Sequence, residues 1–248
     1  MNVIHKTEAS VRSADRRERK IEAILDRAME VLRADGLDAL TLQRVAQALG
    51  LVTTAIYRYF PSKDALIAAL QRRAIRVISA HFQSALSAIA PQLLEAAPAT
   101  ACLATLLTIG DLYLALPETH PQEWHFVATL LGDPRHLVSD DEVAVTAPML
   151  AGFLADIEKL FVWAERSEAL AHGQASERVF AFWAALHGAH CMEKARRVSP
   201  SAPSVEEIGR FTTRALLSSW GATPARMTAA QRLVSAGARV GRSTKGRV

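Results

Sequence analysis

Cysteine is scarce in this sequence, which contains only two among 248 residues. Cys102 and Cys191 are far apart, lie among apolar residues and lack the close spacing that metal ligands show. A chain with so few cysteines does not depend on a disulfide framework for its stability. We therefore expect both cysteines to be reduced thiols in the protein core.

Long apolar runs are also lacking. Half of the residues are apolar, yet no run reaches the roughly 18 residues that a membrane span requires, and Asp111 ends the longest candidate. The N-terminal segment is polar and charged, without an apolar stretch followed by a small-residue cleavage site. These absences predict a soluble protein of the cytoplasm with no membrane partner.

The sequence further lacks the residue patterns of known catalytic sites. It has no recognisable pair of carboxylates, no activated nucleophile and no glycine-rich phosphate loop. His187 and His190 lie three residues apart, but no third metal ligand can be identified. An enzyme that works through the aromatic, histidine-containing part of the chain is thus disfavoured, and we predict no catalytic residue, metal ion or cofactor.

What the sequence does contain is an uneven distribution of charge. Residues 1–79 carry 14 lysines and arginines against 9 acidic residues, and residues 80–223 carry 9 against 16. Residues 224–248 carry 6 basic residues and no acidic one. A basic first third followed by an acidic middle region indicates a polyanionic partner for the N-terminal part alone.

Apolar residues recur at intervals of three and four throughout the chain, whereas the alternation typical of strands is nearly absent. The predicted fold class is therefore all-α. Gly36 is placed to end the first helix, and Thr41 and Ser62 are suited to cap the second and fourth helices. The predicted helices cover about residues 15–34, 42–50, 53–60, 63 to beyond 70, 99–116, 122–131, 142–171, 176–198 and 204–220.

The segment TLQRVAQALGLVTTAIYRYF, residues 41–60, has the pattern of a helix-turn-helix. Gly50 can adopt the positive φ that the turn requires, and Leu51 can fill the corner between the two helices. The predicted small core consists of Val45, Ala46, Leu49, Leu51 and Ile56, with Phe60 also facing inward. The residues left on the open side of the third helix, where a recognition helix faces a major groove, are Thr53, Thr54, Tyr57 and Arg58.

Residues 20–70, above all LTLQRVAQALGLVTTAIYRYFPSKDAL, resemble the DNA-binding domain of TetR-family transcriptional regulators. The features that carry the resemblance are a threonine that opens the second helix, the ALG turn and a YxxFxxK ending. The resemblance implies an all-α homodimer with three-helix DNA-binding domains and a larger domain that dimerises and binds a small effector. We expect a DNA-binding domain at residues 1–62, an effector-binding and dimerisation domain at 63–223, and a basic, flexible tail at 224–248.

The resemblance also assigns roles to single residues. The positions that match Tyr57 and Tyr59 commonly contact DNA in the family, largely through phosphate, although both rings could instead pack on the domain surface. Lys63 begins the fourth helix, where its ammonium and free backbone N–H groups can share a phosphate, unless it is an ordinary solvated lysine. The predicted base-reading residues, whose hydroxyls can donate or accept and whose methyl groups can touch thymine, are Thr53, Thr54 and Ala55.

Further DNA contacts are predicted around this set. Thr41, Gln43 and Arg44 come from the second helix, and Arg58 lies beside the two tyrosines; Arg44 could equally be a solvated charge. The run DRRERK at residues 15–20 could follow a phosphate strand or reach a minor groove, or it could be only the solvated start of a helix.

The acidic region offers weaker signals. Its aromatic residues favour a mostly apolar pocket for a small effector, and the predicted lining residues are Trp124, His125, Phe153 and His187; ordinary core packing is the alternative for each. Small residues in helix 176–198, together with helix 204–220, favour a four-helix dimer interface related by a twofold axis. An internal helix contact is the alternative for these two helices.

The sequence as a whole predicts a ligand-responsive, DNA-binding transcriptional regulator. Its expected partners are double-stranded DNA with a near-palindromic operator, a second copy of the chain and a small-molecule effector. We expect a repressor that a small, largely apolar effector releases from DNA. An activator, or a DNA-binding architectural protein without an effector, are the alternatives.

Overall fold

The computed structural model of the chain describes the backbone of residues 2–245 and the side chains of residues 12–236. Within that part the chain is helical and contains no strand, which confirms the all-α prediction. The helices are α1 (Asn2–Asp35), α2 (Leu42–Ala48), α3 (Thr53–Tyr57), α4 (Lys63–Glu95), α5 (Pro98–Leu114), α6 (Leu116–Thr119), α7 (Pro121–Gly132), α8 (Asp140–Arg166), α9 (Ala175–Cys191), α10 (Val205–Ser219) and α11 (Pro224–Lys245), with a 3-10 helix at Met192–Arg197.

Several helix boundaries differ from those expected. The third helix ends at Tyr57 instead of near residue 60, and the helix predicted at 142–171 covers Asp140–Arg166. The first helix begins at Asn2 instead of near residue 15, because the preceding segment contains no proline or glycine that would interrupt a helix. The helix predicted at 176–198 ends at Cys191 and continues as the tighter 3-10 helix. No helix among the described residues is both long and apolar enough to span a membrane.

The chain forms two compact units. The first comprises Met1–Arg76 and His120–Met149, and the second comprises Val77–Thr119 and Leu150–Val248. The helix-turn-helix thus shares its unit with the start of α4 and with α7, although α7 is remote in sequence. The domain boundaries at residues 62 and 223 stay predictions, since the two units describe packing and not independent folding.

The core of the first unit joins α1 to the helix-turn-helix. Ile24, Ala28 and Leu32 lie on one face of α1, are fully buried, and pack with buried residues of α2, α3 and α4. Phe126 of α7 is buried in the same cluster, with Leu130 packed against it. Of the residues predicted for the small helix-turn-helix core, Val45, Ala46 and Ile56 belong to this cluster together with Phe60, and Leu49 and Leu51 are partly buried and pack against it.

Local hydrogen bonds set the helix ends that position the recognition helix. The Thr41 hydroxyl accepts the backbone N–H of Arg44 at 3.1 Å and begins α2. Gly50 has φ +65°, the left-handed conformation predicted for the turn. The Ser62 hydroxyl accepts the N–H of Ala65 at 3.0 Å at the start of α4. These hydrogen bonds and the turn at Gly50 fix the orientation of α3 relative to α2.

The second unit is built around α5, which is apolar on nearly all sides and has nine buried residues. Both α10 and α11 pack against α5. Gly209 of α10 allows one close approach, because a Cβ at this position would overlap the Leu114 side chain. Phe161, Phe182 and Trp220 form a further cluster, with ring centroids 5.8 Å and 5.6 Å apart in edge-to-face pairs.

The C-terminal region differs from the expected flexible tail. Residues Pro224–Lys245 form α11, and Met227 and Ala230 of this helix are buried. Their spacing of three, extended by half-buried Val234, gives α11 an apolar face that packs on α5. Residues 224–236 thus form part of a packed helix, while the flexible tail stays a prediction for the residues that follow them.

The two cysteines occupy different environments. Cys102 is buried in α5 as expected, and burial raises the pKa of its thiol. Cys191 is exposed, so the prediction of a core thiol is wrong at this position. Ala189 faces the core at the same end of α9, and two residues turn a helix by roughly 200°, which directs Cys191 outward.

Candidate nucleic-acid interface

The recognition helix α3 has a buried side and an open side. Ile56 is fully buried and anchors the helix to the core of the first unit. On the open side, Thr54, Tyr57 and Arg58 are exposed, and Tyr57 retains 53% of its accessible surface. An exposed aromatic ring on so short a helix is available to a partner rather than to the core.

Two neighbouring positions are less accessible. Thr53 and Ala55 of α3 are half-buried, and Thr53 begins the helix. Their remaining surface lies at the N-terminal end of the helix, which is the end that reads base edges in a helix-turn-helix. The structure thus brings the three predicted base-reading residues together, with Thr54 the most open of them.

A cationic cleft, the second feature of this unit, lies between α1 and the end of the recognition helix. It has a volume of about 640 Å³ and is lined by Ser13, Arg16, Arg17, Arg19, Lys20, Arg58 and Tyr59. The guanidinium carbon of Arg17 lies 5.9 Å from the centroid of the Tyr59 ring, within the range of a cation–π contact. Among the described residues that line the cleft, none is acidic.

The junction of the run at residues 15–20 with Arg58 and Tyr59 was not predicted from the sequence. The signal that could have indicated it is the spacing of Ser13, Arg16, Arg17 and Lys20, which are three and four residues apart and share one helix face. Arg16, Arg17 and Lys20 thus place three cations on one face of α1, and a phosphate contact for this run stays a prediction.

Lys63 contributes to the structure of the first unit as well as to its charge. Its Nζ donates to the carbonyl oxygen of Leu37 at 3.0 Å, which ties the start of α4 to the loop after α1. The side chain is half-buried. An ammonium group has three donors, so this bond leaves capacity for a phosphate oxygen.

The predicted residues of α2 lie on its exposed side. Arg44 donates from Nη2 to Asp35 at 2.6 Å and from Nε to the same carboxylate oxygen at 3.1 Å. Gln43 is exposed, and Thr41 uses its hydroxyl oxygen as a helix cap. The charge of Arg44 is therefore partly compensated, which makes it a weaker attractor of phosphate than the cleft cations.

The four predicted effector residues do not fall in one unit. Trp124 and His125 belong to the first unit, whereas Phe153 and His187 belong to the second. The Phe153 ring packs against Phe82 with centroids 5.8 Å apart, which is a core contact. A ligand-binding role for these four side chains stays a prediction.

His187 takes part in a polar cluster of the second unit. Its Nδ1 lies 3.0 Å from the Tyr113 hydroxyl, which also accepts the indole N–H of Trp183 at 2.9 Å. Burial lowers the pKa of His187 and raises that of Tyr113. Burial thus favours the neutral form of both groups, which contact each other through the Tyr113 hydroxyl and His187 Nδ1.

A recognition helix with an open polar face beside a cationic cleft defines a helix-turn-helix DNA-binding protein. Residues 24–70 match the family model of bacterial regulatory proteins of the tetR family. The helix-turn-helix part of the chain therefore belongs to a TetR-family domain, and that family consists of DNA-binding transcriptional regulators. No curated protein matches the chain in sequence.

Solved structures share the fold over most of their length. A TetR transcription regulator from Haloarcula marismortui is 17% identical with a TM-score of 0.60, and the match covers 82% of this chain and 98% of that one. A bacterial regulatory protein in the tetR family from Rhodococcus is 15% identical with a TM-score of 0.59, and the match covers 82% of this chain and 97% of that one. A TetR family transcriptional regulator from Thermus thermophilus is 20% identical with a TM-score of 0.53, and the match covers 79% of this chain and 97% of that one. At these identities the likeness concerns the fold.

Proposed function

We propose that the protein is a repressor that binds a near-palindromic operator as a homodimer and is released by a small, largely apolar effector. The observation that carries this proposal is the pairing of the open face of α3 with the cationic cleft in one unit. An exposed helix face alone would fit many partners. A face that adjoins five cations, with no acidic side chain among the described residues that line the cleft, fits a duplex.

In the proposed complex, α3 enters the major groove with its N-terminal end foremost. Thr53, Thr54 and Ala55 contact base edges, while Tyr57 and Arg58 hold the flanking phosphates. The cleft follows the phosphate strand beside α1, where Tyr59 holds Arg17 in place through its ring. Base contacts then supply sequence preference, and cleft contacts supply affinity that depends on salt.

Gln43, Arg44, Thr41 and Lys63 are proposed to complete the interface. The two side chains of Gln43 and Arg44 lie on the exposed face of α2, which crosses the DNA backbone in helix-turn-helix complexes. Lys63 and the backbone N–H groups at the start of α4 offer a second phosphate site. Because Lys63 is already anchored by Leu37, its position requires little ordering on binding.

The proposed dimer forms through α9 and α10, which pack against each other. Phe180 of α9 and Phe211 of α10 keep 55% and 66% of their surface exposed. Ala181 and Ala184 are also exposed, and a Cβ at Gly188 would meet no atom within 4 Å. Large rings and small residues on the same two helices support a tight helix contact with a second copy.

Release by an effector requires a link to the recognition helix, and α7 supports one. Phe126 is buried in the core shared with α1 and α2, and Arg135 pairs with Asp38 at 2.8 Å, close to the start of α2. A shift of residues 120–149 would therefore change the packing of the helix-turn-helix. Two recognition helices must match major grooves about 34 Å apart, so a small pivot would weaken both contacts.

The experiment that tests the proposal is selection of bound duplexes from a random pool by the full chain. Dimeric binding predicts enrichment of a sequence with twofold symmetry, since each recognition helix reads one half-site. Sedimentation of the protein with the selected duplex should give two chains per duplex. Enrichment of no sequence, or of an asymmetric site bound by one chain, would contradict the proposal.

A further inference from the structure

The second unit has a cleft between α5, α10 and α11 that no predicted site residue lines. Its volume is about 610 Å³, which lies in the range of small-molecule sites. One side is apolar and consists of Leu107 and Leu114 from α5 and Val234 from α11. These side chains from α5 and α11 can cover the hydrocarbon part of a small ligand.

The charged residues of the cleft carry a single net positive charge. Arg210 donates from Nε to Asp111 at 2.8 Å, so these two charges compensate each other. Arg214, one helix turn further along α10, is half-buried and has no ion pair or hydrogen bond to any residue that the structure describes. Residues 237–248 contain no aspartate or glutamate that could supply a partner.

A buried hydroxyl lies beside this unpaired cation. Thr213 is 3% exposed, and its Oγ1 has no hydrogen-bond partner within the described part of the chain. Gly110 of α5 lies opposite, where a Cβ would approach Oγ1 to 3.4 Å. A buried donor without a partner is unfavourable by about 1–3 kcal/mol, so an oxygen acceptor bound in the cleft would satisfy it.

One amide and one hydroxyl group, from Gln231 and Ser235, complete the polar side. Gln231 and Ser235 of α11 line the cleft one helix turn apart, and the Ser235 hydroxyl donates to the carbonyl oxygen of Gln231 at 2.9 Å. The side-chain amide of Gln231 keeps its two N–H donors. The cleft therefore offers a guanidinium, a hydroxyl and an amide next to an apolar wall.

We propose that this cleft binds a small monocarboxylate with an apolar body. The carboxylate accepts from Arg214 and Thr213, and the body packs on Leu107, Leu114 and Val234. One uncompensated cation next to Asp111 favours a single negative charge and opposes a phosphate or a dicarboxylate. This ligand class specifies the effector proposed above. Binding of the carboxylate does not depend on the proposed function, but an effect of the carboxylate on DNA binding does.

Calorimetry on the full chain without DNA tests the binding site itself. The probes are octanoate and 2-naphthoate, each beside its neutral primary amide, which keeps the shape and removes the charge. Because a hydrogen-bonded charge contributes strongly in a half-buried site, at least one carboxylate should bind about tenfold or more tighter than its amide. Equal affinity of each carboxylate and its amide, or no binding of either carboxylate, would overturn the proposal.

Variants assign the binding to the cleft. Arg214→Gln should remove the preference for the carboxylate, and Arg214→Lys should restore part of it. Thr213→Val should weaken the carboxylate several-fold while leaving the melting temperature of the unliganded protein unchanged or higher, because it removes an unpaired polar group. Arg166→Gln, which removes an exposed charge outside the cleft, is the matched control and should bind as the unchanged protein does.

A preference that survives in Arg214→Gln would place the carboxylate elsewhere and overturn the proposal. A separate titration of the selected operator duplex, with and without the bound carboxylate, tests the regulatory consequence. Carboxylate binding with unchanged operator affinity would support the site and contradict the effector role. A failure of operator binding itself would count against the proposed function and leave the calorimetric result for the cleft intact.

Discussion

The clefts of the two units differ in how they handle positive charge. In the first unit, five cations line one cleft without an acidic side chain among the described lining residues. In the cleft of the second unit, Asp111 compensates Arg210, and Arg214 is the one lining cation without an ion pair to a described residue. Neighbouring cations without acidic partners repel each other, and a bound polyanion removes this repulsion. A single cation suits a single small anion, so the two units fit partners of very different size.

The division into two units requires that α7 packs in the same core as the helix-turn-helix. Phe126→Ala tests this packing and should give the largest loss of stability. Removal of a buried phenylalanine from a packed core should lower the free energy of unfolding by about 3–5 kcal/mol. Denaturant unfolding at fixed protein concentration measures it. The control is Leu131→Ala on the same helix, whose side chain is 47% exposed and should change little. Similar small effects in both variants would separate α7 from the core.

Gly209→Ala tests the packing that forms the second unit. A methyl group at this position overlaps the Leu114 side chain, so α10 must move away from α5 at a cost of about 1–3 kcal/mol. Gly152→Ala is the control, since no atom lies within 4 Å of its Cβ and alanine favours helix by up to about 1 kcal/mol. Thermal melting should thus shift in opposite directions for the two variants. A shift in the same direction would contradict the close contact.

Thr41→Ala separates a structural from a DNA-binding role in the first unit. Loss of the capping hydroxyl should lower stability by about 1 kcal/mol. Thr41→Ser keeps the cap and should restore the melting temperature. If Thr41 also contacts DNA through its hydroxyl, serine should restore operator affinity as well. Serine that restores stability but not affinity would assign the DNA contact to the methyl group.

The smallest expected effect is a pH dependence of the second unit. Burial lowers the pKa values of His187 and His190 below the ordinary value of 6.5. The unfolded chain therefore binds protons more readily, and stability is fully present above about pH 6.5 and declines as the pH falls below it. Tyr113 stays neutral throughout this range. Melting of His187→Gln should depend less on pH between about 7.5 and 5.5 than melting of the unchanged protein.

The DNA-binding half of the fold could be predicted from sequence because its determinants are local. The Thr41 cap, the turn at Gly50 and the inward spacing of Ile56 and Phe60 act within one or two helix turns. The cationic cleft was missed because it joins Arg17 to Tyr59 through tertiary packing. The second cleft was missed for the same reason, since three remote helices supply its lining.

The effector residues were the least predictable part. Aromatic and histidine side chains at helical spacing fit a core as well as a pocket, and only packing decides between them. Phe153 and His187 are engaged with Phe82 and Tyr113, whereas the open cleft is lined by aliphatic, hydroxyl and guanidinium groups. The unpaired state of Arg214 depends on where Asp111 pairs, which no local pattern indicates.

The central claim is that the cationic cleft holds phosphates while the N-terminal end of α3 reads bases. The direct test measures the salt dependence of binding to the selected duplex and to an unrelated one, for the unchanged protein and for Arg17→Gln combined with Arg58→Gln. Each lost phosphate contact lowers the slope of log affinity against log salt by about 0.9. In the double variant the slope should fall by about 2, and binding to both duplexes should weaken by the same factor. The control is Arg33→Gln combined with Arg166→Gln, which removes the same charge outside the cleft and should leave the slope unchanged. An unchanged slope, or a loss confined to the selected duplex, would contradict the account.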